Sequence, residues 1–387
     1  MHPLKKLTCR AFQLAFRLAL PFLPYREPKQ LDGLDSIPPL LKWSGVGSVL
    51  LVTDRSVRSL GLTAPLEKSL AGEGIICAVY DGTVSNPTIQ NVEEGRQLYL
   101  DSGAQAIIAV GGGSVMDCAK GVGARIARPR KPVRRMKGLL RVLVPTPLTI
   151  AVPTTAGTGS EVSSTSVLTW EDGRKRAISH PDLYADLVLA DPRYTFTMSW
   201  GVTVSTALDA LSHAVEGFLS PKCTQIPEWC ARQAIPMIWK GLKELSQGET
   251  VPQHLREPLF YGSLWAGMVL NAVGTAFPHP FGYILTEDFS IPHGRACAAF
   301  LPALLERAGE YVPERLEGLL LLLGSSQQEA VCLLQQLSGT GNIRMARRQI
   351  EEYAHRWDNL HNFANVPGGY SAEQGKQLFS TLFDIKV

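Results

Sequence analysis

The sequence predicts an α/β amino-terminal part with a parallel, Rossmann-like sheet, followed by an all-α carboxyl-terminal part. From about residue 47, short apolar runs alternate with helical stretches, which is the rhythm of βαβ units. Two of these runs lead into loops of small residues. From about residue 200, helical patterns dominate and clear strand patterns end. We therefore expect a segment at 1–30, an α/β domain at 31–200 and a helical domain at 201–387.

The predicted strands are short apolar runs, as expected of strands that are buried on both faces of a sheet. They lie at residues 46–53, 74–82, 104–111 and 148–155. Between the second and third strands, residues 86–103 predict a helix with Asn86 as its cap and Pro87 at its first position. Farther along, Asp172 and Gly173 stand between two β-like runs, and this pair predicts a hairpin.

Two loops that follow predicted strands favour dinucleotide binding. The GGGS stretch at 111–114 opens a helix, with Ser114 as a candidate cap, so backbone N–H groups and the positive helix end can face a pyrophosphate. The PTTAGTGS stretch at 153–160 is rich in hydroxyl groups. Asp54 ends the first strand, where a carboxylate accepts hydrogen bonds from ribose hydroxyls and repels the 2′-phosphate of NADP. Asp54 can also cap a helix, and the two roles are compatible.

Four side chains in the helical part form a candidate metal site. Asp209 and His213 are four residues apart in a strongly helical stretch, so they share one helix face. His279 and His293 stand beside proline or glycine in otherwise apolar sequence. One carboxylate and three imidazoles make a complete protein shell for a divalent transition metal, and both Fe²⁺ and Zn²⁺ suit these ligand types.

Composition describes a globular protein with an uneven charge distribution. The 387 residues are 45% hydrophobic and 19% charged, with a net charge of +3. Residues 1–22 and 125–141 are basic and lack acids. Such runs are either solvated faces or surfaces that meet an anionic partner, and we expect no nucleic acid as that partner. Seven scattered cysteines without a CxxC pair argue against a disulfide framework and indicate a cytosolic protein.

Five motifs in order resemble the iron-containing (group III) alcohol dehydrogenases, which have a dehydroquinate synthase-like fold. The resemblance runs from about residue 30 to the end and is carried by YDGTVSNPT, GGGSVMDCAK, PTTAGTGSEVSSTSVLT, LDALSHAVEGFLS and IPHGRA. It implies an NAD-linked oxidoreductase that transfers a hydride between a primary or secondary alcohol and the corresponding aldehyde or ketone. We expect NAD rather than NADP, Fe²⁺ with Zn²⁺ as the alternative, and a homodimer.

The resemblance also implies roles for individual residues. The metal ligands would be Asp209, His213, His279 and His293. The dinucleotide contacts would be Asp54, Asn86, Gly112, Gly113, Ser114, Thr154, Thr155, Thr158 and Lys175.

The sequence departs from the family pattern near the third ligand. Many members carry a further histidine four residues after it, where this chain has Tyr283. A tyrosine there can hydrogen-bond a substrate hydroxyl, and we include it among the candidate catalytic residues. Two other readings stay open: a zinc-dependent polyol dehydrogenase, of the glycerol type, or a lyase of the same fold, and a catalytically degenerate, membrane-associated binding protein.

The amino-terminal segment predicts an amphipathic helix. Lys6, Arg10, Gln13 and Arg17 fall on one narrow polar stripe, and apolar residues cover most of the remaining surface. Arg17 interrupts the apolar run, so a membrane span is not expected; a signal peptide is not expected either, because no small-residue cleavage site follows. The helix packs on protein, or it rests on an anionic membrane together with residues 125–141. We therefore expect a cytoplasmic enzyme, with peripheral membrane contact through residues 1–24 and 125–141 as the alternative.

Overall fold

The amino-terminal part of the chain folds around a parallel sheet. The computed structural model describes residues 28–139, 141–358 and 360–383, so the predicted amphipathic helix lies outside the described residues. The strands are β1 (Lys29–Gln30), β2 (Ser48–Val52), β3 (Ile76–Tyr80), β4 (Ala106–Gly111), β5 (Gly138–Leu139), β6 (Leu148–Pro153), β7 (Thr165–Thr169), β8 (Lys175–Ser179) and β9 (Leu187–Val188). Six of them form one parallel sheet in the order β1-β9-β6-β4-β2-β3.

Helices cover both faces of this sheet. They are α1 (Ile37–Trp43), α2 (Arg55–Ser59), α3 (Ala64–Gly72), α4 (Ile89–Asp101) and α5 (Gly113–Ala127). Successive side chains of the central strands enter opposite cores: Leu50 and Ile107 lie in one, Leu51 and Ile108 in the other. This two-sided burial explains why the four predicted strands read as continuous apolar runs.

Two predictions about helix starts were wrong. Helix α4 begins at Ile89, and Thr88 rather than Asn86 is its cap, because Thr88 and Asn91 form a reciprocal capping box. Asn86 instead adopts a left-handed turn, with φ of 62°. Helix α5 is capped by Gly112 without a side-chain bond, so Ser114 lies inside the helix.

The sheet has a topological switch point between β2 and β4. The chain runs from β2 to β3 on one side, then crosses to β4 on the other side of β2. In open α/β sheets, ligands bind outside the carboxyl ends of the strands at such a point. The hydroxyl of Thr53 donates to the carbonyl of Val110 at 2.8 Å, which joins the two strand ends.

A second, smaller sheet contains the predicted hairpin. Strands β7 and β8 pair antiparallel, and β5 adds to β8 in parallel. Gly173 has the positive φ of 74° that the turn requires, and the Asp172 carboxylate accepts from the backbone N–H of Arg174. The hairpin places Lys175 at the start of β8.

Helices make up the rest of the described chain. They are α6 (Trp200–Leu219), α7 (Gln225–Leu245), α8 (Arg256–Val273), α9 (Pro278–Phe289), α10 (His293–Ala298), α11 (Leu301–Tyr311), α12 (Pro313–Leu323), α13 (Gln327–Ser338), α14 (Arg347–Ala354) and α15 (Ala372–Phe383). Helix α6 is buried on nearly all sides, as expected of a central helix. The predicted α/β and all-α arrangement is confirmed; the functional division at residue 200 stays a prediction.

Of the two basic segments, the structure describes 125–141 except for residue 140, and residues 1–22 lie outside the described residues. Within 125–141, Arg125 is buried and its guanidinium binds the Glu93 carboxylate. Arg134, Arg135 and Lys137 are exposed. The basic run is therefore only partly a free surface. Among the residues that the structure describes, no helix is long and apolar enough to cross a membrane.

Candidate active site

A buried carboxylate with three imidazoles around it lies in the helical part. The Nε2 atoms of His213, His279 and His293 lie 3.9, 3.6 and 3.9 Å from Oδ1 of Asp209. Asp209 and His213 stand one turn apart on α6, His279 is the second residue of α9, and His293 is the first residue of α10. Each of the three predicted imidazoles therefore lies within 4 Å of the predicted carboxylate.

Close backbone approach brings His293 near the Asp209 carboxylate. A Cβ added to Gly294 would lie 1.8 Å from the Ser205 carbonyl oxygen and 2.7 Å from the Asp209 nitrogen. Helix α10 can therefore touch α6 only because residue 294 lacks a side chain. His293 is the residue directly before Gly294, so this contact places it next to Asp209.

The unpaired atoms of the site fit a bound cation. Oδ1 of Asp209 and Nε2 of His279 are buried, face each other at 3.6 Å and have no hydrogen-bond partner within the described part of the chain. Buried polar atoms rarely stay unsatisfied. For tetrahedral coordination with typical bond lengths, two O or N donors lie about 3.4 Å apart. The observed separations from Asp209 of 3.6–3.9 Å are close to that value.

Glu216 is a functional candidate that the sequence reasoning missed. Its Oε1 accepts from Nδ1 of His279 at 2.6 Å, and its Oε2 accepts from the Ala276 backbone N–H at 2.6 Å. A carboxylate on the far nitrogen fixes the ring so that Nε2 faces the site, which is the usual support of a metal-binding histidine. Glu216 lies seven residues after Asp209, on the same helix face, and that spacing could have identified it.

Electrostatics favour the protonation states that metal ligands need at Asp209 and His213. At His279, burial would lower the pKa, but the Cys297, Glu216 and Asp209 side chains hold it well above its usual value. Burial alone would raise the pKa of Asp209, but the three imidazoles around it hold that pKa well below its usual range. Burial lowers the pKa of His213 to about 4, against the opposing pull of the Asp209 carboxylate. At neutral pH the site therefore presents an ionised carboxylate and a neutral His213 imidazole.

Cys297 is a second residue that the sequence reasoning missed. Its Sγ lies 3.7 Å from both ring nitrogens of His293, one turn back on α10. Within the described residues, donor atoms of Asp209, His279, His293 and Cys297 all lie within 4.8 Å of one another. Burial raises the pKa of the Cys297 thiol to about 11.

Tyr283 and Lys175 line the space next to the metal-site residues. The Tyr283 ring stacks on His293 at 5.3 Å, and Nζ of Lys175 lies 5.4 Å from the centre of the Tyr283 ring. Burial raises the pKa of Tyr283 to about 12, so at neutral pH the phenol keeps its proton. Burial lowers the pKa of Lys175.

The two small-residue loops lie against each other. The N–H of Thr154 donates to the Gly111 carbonyl at 2.9 Å. A Cβ on Gly113 would lie 2.6 Å from the Thr158 methyl group, and one on Gly112 would lie 3.0 Å from the Thr155 side chain. The glycines therefore let the hydroxyl-rich loop reach the start of α5.

Asp117 and Lys120 on α5 hold the hydroxyl-rich loop in place. The Asp117 carboxylate accepts from Oγ of Ser160 at 2.7 Å and from the N–H of Val167 at 3.0 Å. Nζ of Lys120 donates to Oγ of Ser160 at 2.8 Å and to the Thr165 carbonyl at 2.9 Å. These two residues therefore have a structural task.

One cavity of about 200 Å³ joins the loops to the metal-site residues. Its lining includes Asn86, Gly113, Ser114, Thr158, Lys175, Asp209, Tyr283 and His293. The N–H of Asn86 donates to Oγ of Ser114 at 3.3 Å, so the turn at Asn86 contacts the glycine loop. The cavity brings these predicted cofactor residues to the predicted metal residues.

The remaining predicted cofactor residues follow the carboxyl ends of the sheet strands, outside the lining of this cavity. Asp54 caps α2 by accepting from the Val57 N–H at 2.9 Å, as the sequence allowed. It follows β2 at the switch point, beside the glycines that follow β4. Thr154 is buried at the end of β6. The roles of all these residues toward a cofactor stay predictions.

The fold and site together define a class of metal-dependent, dinucleotide-linked oxidoreductases. The model of the iron-containing alcohol dehydrogenases matches residues 30–192, and the model of the carboxyl-terminal part of the same family matches residues 203–366. The chain belongs to the iron-containing alcohol dehydrogenase family. It is an enzyme that links alcohol and aldehyde interconversion to NAD(H), and its family implies a divalent metal.

Relatives and solved structures agree with this family. Lactaldehyde reductase of Escherichia coli K12 is 30% identical over 286 residues, which cover 73% of this chain and 74% of the relative. Long-chain-alcohol dehydrogenase 1 of Geobacillus thermodenitrificans is 32% identical over 303 residues, 76% of this chain and 74% of the relative. A crystal structure of 1,3-propanediol oxidoreductase superimposes with a TM-score of 0.84 at 26% identity, covering 93% of this chain and 99% of that one.

We predict that Glu216→Gln weakens Zn²⁺ binding by about 10–100-fold, the usual effect of losing a partner behind a metal ligand. An amide cannot offer the two carboxylate oxygens that now hold His279 and the Ala276 N–H. The measurement is titration of metal-free protein with Zn²⁺ against a competing chelator. Glu317→Gln, an exposed change in the same part of the chain, is the control. Equal affinity of both variants would contradict the role of Glu216.

Proposed function

We propose that this enzyme transfers a hydride between NAD(H) and a primary or secondary alcohol, or the matching aldehyde or ketone, at the cavity between the two loops and the metal-site residues. One observation carries the proposal: the same cavity is lined by the glycine-loop residues Gly113 and Ser114 and by Asp209 and His293. Cofactor and substrate oxygen would therefore meet in one space. Holding two reactants together accounts for a large share of the rate of such reactions.

The position of each residue in the site suggests its role in the reaction. When bound, a divalent metal supplies a Lewis acid for the alcohol or carbonyl oxygen, and NAD(H) accepts or supplies the hydride. Asp209, His213 and His279, with His293, would hold the metal, which we propose to be Fe²⁺ with Zn²⁺ as the alternative. Glu216 would keep His279 oriented.

Tyr283 would bind the substrate from the side of the cavity. Its phenol stays protonated at neutral pH, so it can donate a hydrogen bond to a substrate oxygen. Stacking on His293 and the nearby Lys175 ammonium limit the positions of its ring. In place of the histidine that many members have, Tyr283 orients a substrate hydroxyl and does not shuttle protons at neutral pH.

Asp54 supports a preference for NAD over NADP. Its carboxylate stands at the switch point, where the adenosine ribose of a dinucleotide lies in folds of this kind. A negative charge there would repel a 2′-phosphate. The remaining contacts would come from the loops and from Asn86 and Lys175.

Substrate class follows only coarsely from the relatives. The relatives are named for lactaldehyde, propanediol and long-chain alcohols, which differ widely in size. The same-fold polyol dehydrogenase stays a second candidate, and assays over aldehydes, ketones and polyols decide between them. The non-enzymatic alternative is set aside, because the chain belongs to an enzyme family.

We also propose a homodimer that works in the cytoplasm, where its nucleotide cofactor is found, with peripheral contact to anionic membranes. The support for the membrane contact is charge: residues 1–22 carry four basic side chains and no acid, and Arg134, Arg135 and Lys137 are exposed. Light scattering of the purified protein tests the dimer.

We predict that His213→Ala loses bound metal and aldehyde-dependent NADH oxidation while its circular dichroism stays that of the wild type. The reason is that the imidazole is one of three around the Asp209 carboxylate, and these four side chains are the proposed ligands. Metal analysis of the purified protein and an assay over an aldehyde panel measure both effects. His254→Ala, at an exposed histidine on another surface, is the control. Wild-type metal content and turnover in His213→Ala would contradict the ligand assignment.

We predict that Asp54→Asn relaxes the preference for NADH over NADPH. Asparagine caps a helix as well as aspartate does, so the variant removes the charge and keeps α2 intact. Asp54→Ala, which loses the cap as well, shows how much of any effect comes from the helix. The measurement is the ratio of kcat/KM for NADH and NADPH. A wild-type enzyme that already favours NADPH would show that the interpretation of Asp54 is wrong.

We predict that the double change Arg134→Glu and Arg135→Glu reduces binding to phosphatidylserine-containing vesicles by at least roughly thirtyfold. Each basic residue near an anionic surface contributes about 1 kcal/mol. Vesicle sedimentation at low and high salt measures it, alongside a variant without residues 1–24. Arg347→Glu with Arg348→Glu, an exposed pair on α14, is the control. No sedimentation of the wild type, or salt-insensitive binding of all variants, would exclude the membrane contact.

A further inference from the structure

Cys297 stands where a metal ligand would stand. It lies four residues after His293 on α10, so both side chains share one helix face. Its Sγ is 3.7 Å from each ring nitrogen of His293. On one Zn²⁺ ion, typical Zn–N and Zn–S bonds place a nitrogen and a sulfur about 3.1–3.6 Å apart, the larger value at the tetrahedral angle and the smaller at the right angles of a five-coordinate site. The spacing of the thiol therefore suits shared coordination.

Space for the sulfur depends on Gly282. A Cβ at position 282 of α9 would lie 2.9 Å from Sγ and 2.9 Å from the backbone nitrogen of Cys297. Any larger residue there would displace the thiol or the helix that carries it. Thr286 lies one turn farther along α9, and its hydroxyl is 3.5 Å from Nδ1 of His293. This contact favours the ring orientation in which Nε2 faces Asp209.

Independent evidence for a bound ion comes from the other donors. Oδ1 of Asp209 and Nε2 of His279 belong to side chains that are 7% and 4% exposed, and neither atom has a hydrogen-bond partner in the described chain. Both atoms and the Cys297 sulfur belong to one set of donors within 4.8 Å of one another. The thiol therefore belongs to the same group of donors as Asp209 and His279, whose facing atoms are unpaired.

We propose that Cys297 supplies a thiolate donor to the metal beside Asp209, His279 and His293, and that this donor raises the affinity of the site for Zn²⁺ more than its affinity for Fe²⁺. The thiol releases its proton to solvent as the sulfur–metal bond forms. Thiolate is a soft ligand and favours Zn²⁺ over harder divalent ions. The inference rests on the proposed metal site and adds to it a donor outside the carboxylate and three imidazoles.

The test is a spectroscopic titration of the metal-free, full-length protein with Co²⁺. Visible absorption of bound Co²⁺ reports the metal site, and intense near-ultraviolet absorption reports a cobalt–thiolate bond. We expect both signals in the wild type, and loss of only the near-ultraviolet signal in Cys297→Ser and Cys297→Ala. Cys230→Ala, at a buried cysteine of α7, is the control and keeps both signals.

The outcomes separate this inference from the proposed function. Visible bands without the near-ultraviolet signal in the wild type, or a near-ultraviolet signal that survives in Cys297→Ala, overturn the thiolate donor and leave the metal site. Absence of both signals overturns the metal site and the inference with it. In competition with a chelator, we also expect Cys297→Ala to lose Zn²⁺ affinity at least roughly tenfold, and Fe²⁺ affinity by a smaller factor.

Discussion

The burial of the Asp209 carboxylate is the constraint on which the active site depends. A charge taken out of water costs several kcal/mol unless partners compensate it. Here the partners are three imidazoles, and behind His279 stands a second buried carboxylate, Glu216. The proposed divalent cation would balance the charge of these buried carboxylates. The unpaired Asp209 and His279 atoms are the direct sign of this balance.

That constraint determines how the two parts of the chain meet. The proposed ligands on α6, α9 and α10 can meet only if the backbones of these helices approach closely, and Gly294 permits the contact of α10 with α6. The hydroxyl-rich loop reaches the same helix: a Cβ on Gly157 would lie 2.5 Å from the Cβ of Thr206. Helix α6 therefore carries Asp209 and also contacts the hydroxyl-rich loop, so one helix sets the distance between the proposed metal ligands and the proposed cofactor loop.

Sequence patterns predicted those features that depend on local periodicity. The four buried strands read as apolar runs, and the Asp209–His213 pair follows from helical spacing. Strands β1 and β9 have two residues each and leave no periodic signal, so they were not predicted. Lys29–Gln30, at the end of the predicted basic segment, instead pairs with β9 at the sheet edge. Thr88 caps α4 because it forms reciprocal hydrogen bonds with Asn91, whereas the prediction of Asn86 as the cap relied on the position of Pro87.

Glu216 and Cys297 were not predicted, because the hydrophobic pattern of a nearly fully buried helix does not distinguish one face from another. Helix α6 is buried almost all round, so hydrophobicity does not indicate which face bears function. Once a ligand is known, however, one helical turn of about 5.4 Å brings a second side chain within reach of the same site. Each ligand helix uses this step: Asp209 leads to His213, His279 to Tyr283, and His293 to Cys297. Starting from the proposed ligands, a search one helical turn at a time therefore finds the other side chains that would contact the metal or the substrate.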